Sequence, residues 1–420
     1  MKRTFVLLLC CLLLAGCTVR QAPPEAPEAP PAEVSTPAPT PEPTIEPTPE
    51  PTPEPTIEPT PEVIAQELAF SLGSSLYQPG ETAALSNPQF YSPLVLRSEE
   101  SFTRLYLCWA EPPVPYTVGT DAFSLSCGEK AYLHELITLP EPCTSVTLTF
   151  DPKVFHSNLT DISLFSEGAL PSSVQDWQPP CEKADLLVLS THNDDDILFF
   201  GGAEPYYAAE RGLAVQVVYF TDQMKLHPRM NDCLNALWYM GIRHYPVMGI
   251  FDDFKGDLES YPLRIPRDAG KAFLAENIRR FRPEVLLTQD VSGEYGHMEH
   301  VYMLSLFREV IEETADAEKY PESAALYGVW DVPKTYIHLW GDAETQTVMD
   351  WDAPLKSFDG LSGFDVARNA YMLHTTEYAK ALHLVEGRDD PYSSYRFGLY
   401  RSLVGEDEAK NDLFEHLSID

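Results

Sequence analysis

The sequence is poor in positive charge and lacks several short motifs that mark common protein classes. Lys and Arg total 29 against 64 Asp and Glu, which gives a formal net charge of −35. Nucleic-acid phosphates repel such a chain and are normally bound by a basic surface, so we expect no nucleic-acid partner. A Gly-rich phosphate loop, a Gly-x-Ser-x-Gly elbow and a Cys-x-x-Cys pair are also absent from the sequence. These absences argue against a phosphate-loop enzyme, a serine hydrolase and a cysteine metal site.

The N-terminus lacks an apolar run long enough to span a bilayer. Lys2 and Arg3 precede the apolar run 5–14, whose last residue begins the sequence Leu-Ala-Gly-Cys17. This arrangement predicts a signal peptide over residues 1–17, with a bacterial lipobox, cleavage before Cys17 and lipidation of its thiol. An ordinary cleaved secretory signal is the alternative. In either case we expect an extracytoplasmic protein, and the lipobox predicts one that is lipid-anchored to the bacterial cell membrane.

Residues 18–62 are dominated by Pro, Glu, Thr and Ala, and Pro (38) outnumbers Gly (22) in the chain. Such a segment has too few apolar residues to form a core, and Pro favours extended conformations of about 3.1 Å per residue. Roughly 40 residues could therefore reach on the order of 100 Å. We predict a semi-rigid spacer, with a Pro-rich ligand for a recognition domain as the alternative.

Five cysteines follow the spacer: Cys108, Cys127, Cys143, Cys181 and Cys233. An odd number in an exported protein predicts up to two disulfides and one free or buried thiol, with the connectivity left open.

Residues 63–180 carry short, β-like segments separated by turn residues. The alternating segment 145–150 and the segment 104–109 are typical of strands, and long helical periods are absent. We predict a small antiparallel β-sandwich. Domains of this kind often bind carbohydrate, but a structural spacer or a lid is an equally good interpretation.

Residues 181–420 alternate between strand-like and helix-like segments. Buried-strand patterns cover 184–190, 214–220 and 284–289, and a shorter one lies near 245–250. Helical patterns lie between and after them, and the first follows residue 190 and ends at Arg211. This predicts an α/β domain with a Rossmann-like, mostly parallel sheet and helices on both faces. Ligands of such sheets bind beyond the carboxyl ends of strands, so the loops after Ser190 and Gln289 should carry the chemistry.

Both of these loops contain unusual clusters of polar residues. The first reads Thr-His192-Asn-Asp194-Asp195-Asp196, and helix capping is one explanation for its acids. Three adjacent carboxylates exceed what capping needs, and they would repel one another unless a cation lay among them.

The second loop reads Gly-His297-Met-Glu-His300, which places two imidazoles on one face of a helix start. Both loops end strands of the same predicted sheet, where the fold could bring them together. Two His and one Asp with an open position is the ligand count of a catalytic zinc site.

The paired motifs resemble those of the PIG-L/LmbE-like family of zinc-dependent N-acetylglucosamine deacetylases and related amidases. The family pattern Ala-His-Pro-Asp-Asp-Glu corresponds to 191–196, and Gly-His-x-x-His corresponds to 296–300. The resemblance extends from about residue 183 to the end of the chain. Asn193 in place of Pro and Asp196 in place of Glu are departures that leave every proposed ligand intact.

The resemblance implies that one zinc ion per chain is bound by His192, Asp195 and His300. It implies Asp194 as the general base and a protonated His297 as the group that stabilises the oxyanion or assists the leaving amine. Two further positions are implied more weakly as substrate contacts, and these are Arg229 and Asp252, with Asp253 as the alternative to Asp252.

We therefore expect a membrane-anchored hydrolase that removes the N-acetyl group from an N-acetylglucosamine-containing glycan or glycoconjugate, without a protein partner. Two alternatives stay open. The first is a zinc amidase that acts on another acyl group of an amino-sugar conjugate. The second is a glycan-binding lipoprotein without catalytic turnover.

Overall fold

The computed structural model describes residues 63–85, 93–151, 153, 158–224, 227–339, 347–378, 387–388 and 393–419. The predicted signal peptide, the lipidation site Cys17 and the Pro-rich spacer lie outside these residues. All described residues belong to one compact unit. Among them, no helix combines the length and apolar character needed to cross a bilayer.

The strands are numbered in chain order: β1 (Glu67–Leu68), β2 (Phe70–Leu72), β3 (Ser75–Tyr77), β4 (Leu94–Trp109), β5 (Tyr116–Gly119), β6 (Ser124–Cys127), β7 (His134–Phe150), β8 (Leu159–Phe165), β9 (Leu186–Ser190), β10 (Val215–Tyr219), β11 (Thr221–Asp222), β12 (Phe251–Asp252), β13 (Val285–Thr288), β14 (Lys334–His338), β15 (Thr347–Val348) and β16 (Arg396–Ser402). The helices are α1 (Asp195–Phe200), α2 (His227–Tyr239), α3 (Tyr261–Arg264), α4 (Arg267–Phe281), α5 (Met298–Glu313), α6 (Pro321–Tyr327), α7 (Gly363–Leu373) and α8 (Thr375–Tyr378), with a π-helical turn at Pro205–Glu210 and a 3₁₀ turn at Lys356–Phe358.

Strands β1–β8 form one eight-stranded antiparallel sheet, so the predicted sandwich of separate sheets is not confirmed. The long strands β4 and β7 explain the difference. Near Leu96 strand β4 pairs with β2 and the end of β7, and beyond Arg104 it pairs with β8 and the beginning of β7. Register shifts between Arg97 and Arg104 separate the two halves. Strands β4 and β7 therefore each run through both halves of one sheet, whereas a sandwich would place the two halves in separate sheets.

The second sheet confirms the predicted α/β architecture, with strand order β10-β9-β13-β14-β16-β15. The pairs β10–β9, β9–β13 and β13–β14 are parallel, whereas β16 pairs antiparallel with β14 and β15. Alternate residues of β9 enter two apolar cores, one containing α2 and α7 residues and the other α4 and α5 residues. Helices thus cover both faces, and β9 lies between its successors β10 and β13, at the switch point where such sheets bind ligands.

Two local features of this sheet region differ from the sequence expectation. The helix after β9 is interrupted at Gly202, where a Cβ would lie 2.6 Å from the Trp351 ring, so that only Gly allows this close packing. The strand expected over 245–250 is reduced to an isolated bridge between Val218 and Val247.

The N-terminal sheet packs directly against helix α2. One apolar core includes Trp109 and Leu133 of the first region together with Leu237 of α2. A polar contact accompanies it, because His134 Nε2 lies 2.7 Å from Asn231 Oδ1. The two parts of the chain consequently share one core, although their topologies change near residue 180.

All five described cysteines are free thiols: Cys108, Cys127, Cys143, Cys181 and Cys233. The prediction of up to two disulfides is therefore wrong. Burial is the main cause that raises the pKa of Cys108, Cys127 and Cys181 to about 12, so these thiols pack as neutral apolar groups.

Candidate functional site

The two polar loops identified in the sequence meet at one edge of the parallel sheet. Strands β9 and β13 are hydrogen-bonded neighbours, and Leu189 pairs with Thr288 immediately before the loops begin. The first loop leads into α1 and the second into α5. The sheet register therefore places the loops side by side, although more than 100 residues separate them.

Three candidate ligand atoms converge between these loops. His192 Nδ1 lies 3.0 Å from Asp195 Oδ2 and 3.0 Å from His300 Nε2, and these last two atoms are also 3.0 Å apart. All three residues are buried, at 6, 4 and 1% exposure. Bonds of about 2.0–2.2 Å to one central zinc ion are compatible with atoms at these separations, so the donor set fits zinc. The predicted ligands are thus brought together.

Charges around His192 favour a cation at this point. Burial disfavours a charged ring, but the carboxylates of Asp195 and Glu299 outweigh it and raise the pKa of His192 well above its usual value. Glu299 Oε2 lies 3.1 Å from His192 Nε2, and Glu299 is fully buried. No sequence pattern marked this carboxylate, which orients the His192 ring through its second nitrogen.

Gln289 connects the two loops behind the ligands. Its Oε1 accepts hydrogen bonds from the Thr191 backbone N–H at 2.9 Å and from the Thr191 hydroxyl at 2.6 Å. Its Nε2 lies 3.0 Å from His300 Nδ1, which fixes the orientation of that ring. The sequence predicted only that Gln289 ends a strand. Its contact with Thr191, 98 residues away, leaves no pattern in the neighbouring sequence.

Asp194, the expected general base, is held by Arg229. Arg229 donates from Nη2 to Asp194 Oδ1 at 2.7 Å and from Nε to Asn193 Oδ1 at 2.7 Å. Its Nη1 lies 3.0 Å from Glu377 Oε1. All three guanidinium nitrogens thus contact protein side chains, and Arg229 orients the Asp194 carboxylate and the Asn193 amide. The substrate contact expected of Arg229 stays a prediction.

The two alternative positions for the other predicted substrate contact, Asp252 and Asp253, lie in different surroundings. Asp252 is exposed in β12, whereas Asp253 Oδ1 lies 3.9 Å from His192 Nε2 and Asp253 Oδ2 lies 4.0 Å from Arg229 Nη1. Successive residues of an extended chain point in opposite directions. The structure therefore places Asp253, rather than Asp252, at the candidate site.

His297 lies beside the ligand cluster, with its ring centroid 5.0 Å from that of His192. Burial, followed by the positive charges of His300 and His192, lowers the pKa of His297 to about 4. The ring is then neutral near pH 7, which does not support the protonated form expected from the sequence. Tyr295 is 41% exposed, and its ring centroid lies 6.0 Å from that of His297.

The loop that carries His297 is fixed by a buried ion pair. Glu294 has a left-handed φ of 59°, and its Oε2 lies 2.7 Å from Nδ1 of the fully buried His338. Glu294 Oε1 accepts the Asp290 backbone N–H at 2.8 Å. Burial opposes charge on His338, but Glu294 outweighs it and raises the His338 pKa. The strained turn is stabilised by this pairing.

Asp196, the third acid of the first loop, faces away from the ligands. Its Oδ2 accepts the Tyr219 hydroxyl at 2.8 Å in the interior. Burial raises the pKa of Asp196 to about 7, and burial together with the Asp196 charge raises the pKa of the fully buried Glu204 well above its usual value. These two acids form a second buried pair outside the ligand cluster.

A scan of protein-family models gives no match. Among curated proteins, the chain is similar to 1D-myo-inositol 2-acetamido-2-deoxy-alpha-D-glucopyranoside deacetylase 1 of Catenulispora acidiphila, with 26% identity over 224 residues, 47% of this chain and 67% of that protein. It is also similar to mycothiol S-conjugate amidase of Streptomyces coelicolor, with 41% identity over 56 residues, 13% of this chain and 19% of that protein. Among solved structures it matches N,N'-diacetylchitobiose deacetylase from Pyrococcus horikoshii, with 16% identity, a TM-score of 0.37, and coverage of 48% of this chain and 74% of that one.

Proposed function

We propose that the chain is a zinc-dependent N-deacetylase of the PIG-L/LmbE-like type, and its similarity to a curated deacetylase over 224 residues supports this proposal. Its substrate is an N-acetylglucosamine-containing glycan or glycoconjugate, and its products are acetate and a free amino sugar. The observation that carries this proposal is the convergence of His192 Nδ1, Asp195 Oδ2 and His300 Nε2 at mutual distances of 3.0 Å.

These three residues would hold the metal, and a bound zinc ion would supply a Lewis acid for the amide carbonyl and for water. Glu299 and Gln289 hold the two histidine rings from outside the cluster. Such outer contacts fix the orientation of each ring, so the three ligand atoms are already positioned before a metal binds.

Asp194 is the proposed general base. It lies in the same loop as His192 and directly precedes Asp195. Arg229 fixes one of its oxygens, and the carboxylate can take a proton from the attacking water and return it to the amide nitrogen as the C–N bond breaks. A neutral His297 would donate a ring N–H to the oxyanion that develops on the carbonyl.

The location of the enzyme is part of the proposal. A lipidated Cys17 would anchor the chain to the outer face of the bacterial cell membrane, and the spacer 18–62 would extend the catalytic unit toward cell-surface glycans. The substrate and the membrane would then be its two partners.

A second candidate activity is cleavage of a different acyl group from an amino-sugar conjugate. The similarity to an S-conjugate amidase over 56 residues favours this candidate. The same ligand cluster and base would serve both reactions, because each breaks an amide bond.

The test combines zinc content with acetate release. The chain from residue 18 onward should contain close to one zinc by elemental mass spectrometry and should release acetate from N-acetylglucosamine conjugates. His192→Ala and His300→Ala should lose both properties, Asp194→Asn should keep zinc but lose most turnover, and His416→Ala, at an exposed histidine, should behave as the parent. A zinc-loaded parent that releases a different acid would favour the amidase, and a parent that stays empty when zinc is supplied would contradict both activities.

A further inference from the structure

A pocket of about 570 Å³ lies outside the ligand cluster. It is formed by the C-terminal half of α2, the 3₁₀ turn Lys356–Phe358, the end of α7 and the segment 172–175. Its volume falls within the range of about 300–1,000 Å³ that is typical of small-molecule sites. None of the roles assigned above involves the residues that line it.

Aromatic rings form one part of the pocket wall. Trp238, Tyr239 and Phe358 line it, and each is only partly buried. The Arg243 guanidinium lies 4.0 Å from the Trp238 ring centroid and holds that ring in place. Aromatic faces of this kind suit the C–H face of a sugar ring.

A fixed amide provides the main polar contact. Gln175 is 2% exposed and donates from Nε2 to Asn235 Oδ1 at 2.6 Å. Gln175 thus occupies the Oδ1 atom of Asn235. The Nδ2 group of Asn235 carries two N–H donors, which are available to a ligand in the pocket that Asn235 lines. The side chain is thus oriented before any ligand arrives, which lowers the entropy cost of binding.

The charges around the pocket favour a neutral, hydroxyl-rich ligand. Arg243 and the exposed Asp359 contribute one charge of each sign to the lining, so the pocket has no single-sign field. A cation, an anion and a wholly apolar molecule would each leave some of these groups unmatched. Hydroxyl groups can accept from Asn235 and Arg243 and donate to Asp359.

The pocket is connected to the ligand cluster through two helices. Arg229 lies near the start of α2 and Tyr239 at its end, about 15 Å apart at 1.5 Å per residue. Leu373 of α7 lines the pocket, and the next residue, His374, has its Nε2 2.9 Å from the Asn193 carbonyl oxygen in the catalytic loop. A ligand that occupies both places must therefore be longer than one sugar.

We propose that this pocket binds a distal sugar unit of a neutral saccharide chain whose N-acetylated unit lies at the ligand cluster. This inference rests on the proposed function and extends it, because it makes the substrate an oligosaccharide rather than a single amino sugar. The pocket then selects for chain length, and the ligand cluster carries out the chemistry.

The test measures binding of chitohexaose, six linked N-acetylglucosamine units, by calorimetry to the zinc-loaded chain from residue 18 onward, in an Asp194→Asn background that blocks turnover. Asn235→Ala and Phe358→Ala should each raise the Kd for chitohexaose about tenfold, through loss of a hydrogen bond or a ring contact. The matched surface variant Arg308→Ala, on α5, should leave the Kd unchanged. If either pocket variant does not fold, Asp359→Asn replaces it, because Asn tolerates the left-handed φ of 53° at this exposed position.

Two outcomes would overturn the proposal: a parent that does not bind chitohexaose, or pocket variants that bind it as the parent does. Acetate release by the protein with Asp194 intact separates this result from the proposed function. If acetate is released and the pocket variants bind chitohexaose as the parent does, the deacetylase activity is supported and the sugar site in the pocket is contradicted. If the pocket variants bind chitohexaose more weakly but no acetate is released, the sugar site is supported and the deacetylase activity is contradicted.

Discussion

Glu299 and His192 lie 107 residues apart in sequence, yet Glu299 Oε2 is 3.1 Å from His192 Nε2 in the interior of the protein. The contact is made by the ring nitrogen opposite the one that faces Asp195 and His300. A buried carboxylate in this position fixes the ring and increases the basicity of the nitrogen that would bind a metal. Glu299 and His300 are neighbours in the first turn of α5, so one helical turn supplies a proposed ligand and the support for another.

Replacement of Glu299 by Gln should weaken zinc binding about 10- to 100-fold, because the amide removes the charge while keeping the shape. Competition with a chromophoric chelator measures the change. Glu312→Gln, at an exposed position of the same helix, provides the matched control. Equal zinc affinity in the parent and in Glu299→Gln would show that the carboxylate does not support the ligand.

Arg229→Lys should lower kcat by about 100-fold, since a lysine cannot reproduce the fork that holds Asn193 and Asp194, and small misplacements of a base have effects of that size. The KM should change little, because all three guanidinium nitrogens contact protein groups. Steady-state kinetics on an N-acetylated amino sugar separate the two parameters. A variant with a raised KM and an unchanged kcat would instead identify Arg229 as a substrate contact.

Glu204→Gln should reduce the pH dependence of stability. The pKa of Asp196 is raised to about 7 and that of Glu204 well above its usual value, mainly by burial. The folded protein therefore keeps protons that the unfolded chain releases near pH 4 to 4.5, and the stability from this pair decreases as the pH rises from there through 7. A neutral amide removes one of the two titrating groups.

The difference in melting temperature between pH 5 and pH 8 should accordingly be smaller in Glu204→Gln than in the parent, with the zinc concentration held constant. Glu322→Gln, at an exposed acid of α6, should show the parent's difference. If Glu204→Gln shows the same difference in melting temperature as the parent, the buried pair of Asp196 and Glu204 does not hold an extra proton.

The five cysteines after residue 17 should all react with iodoacetamide in denaturant without prior reduction, because none of them forms a disulfide. Mass spectrometry of the chain from residue 18 onward counts the labels, and a sample reduced first provides the reference. Fewer labels in the unreduced sample would demonstrate a disulfide. The melting temperature should likewise be the same with and without reductant.

The sequence was sufficient for the parts of the site that depend on short-range order. His192, Asp194 and Asp195 lie within five residues of the end of β9, and His297 and His300 lie at the start of α5 after β13. Recognition of two strand ends therefore located all five residues. Parallel neighbours in one sheet then bring these strand ends together. The sequence shows where these strands end because buried parallel strands are continuous apolar runs.

Residues whose role depends on distant contacts could not be identified in this way. Gln289 and Glu299 act on rings that only the folded chain brings near, and the choice between Asp252 and Asp253 depends on the direction in which one short strand presents its side chains. The number of cysteines likewise contains no information about the distances between them. The continuous N-terminal sheet was missed because the halves of β4 and β7 have separate local patterns, and their pairing is decided by partners elsewhere in the chain.

The contact between the N-terminal sheet and helix α2 affects how the protein can be truncated. A chain that began at Cys181 would lack Tyr132 and Trp177, whose rings pack 4.1 Å and 5.5 Å from that of Tyr245, and would expose the apolar surface beneath them. Helix α2, which contains Arg229 in its first turn, would lose its cover along the same side. The minimal stable fragment of this protein should therefore begin near residue 63, before the first strand, even though the proposed catalytic residues all follow residue 190.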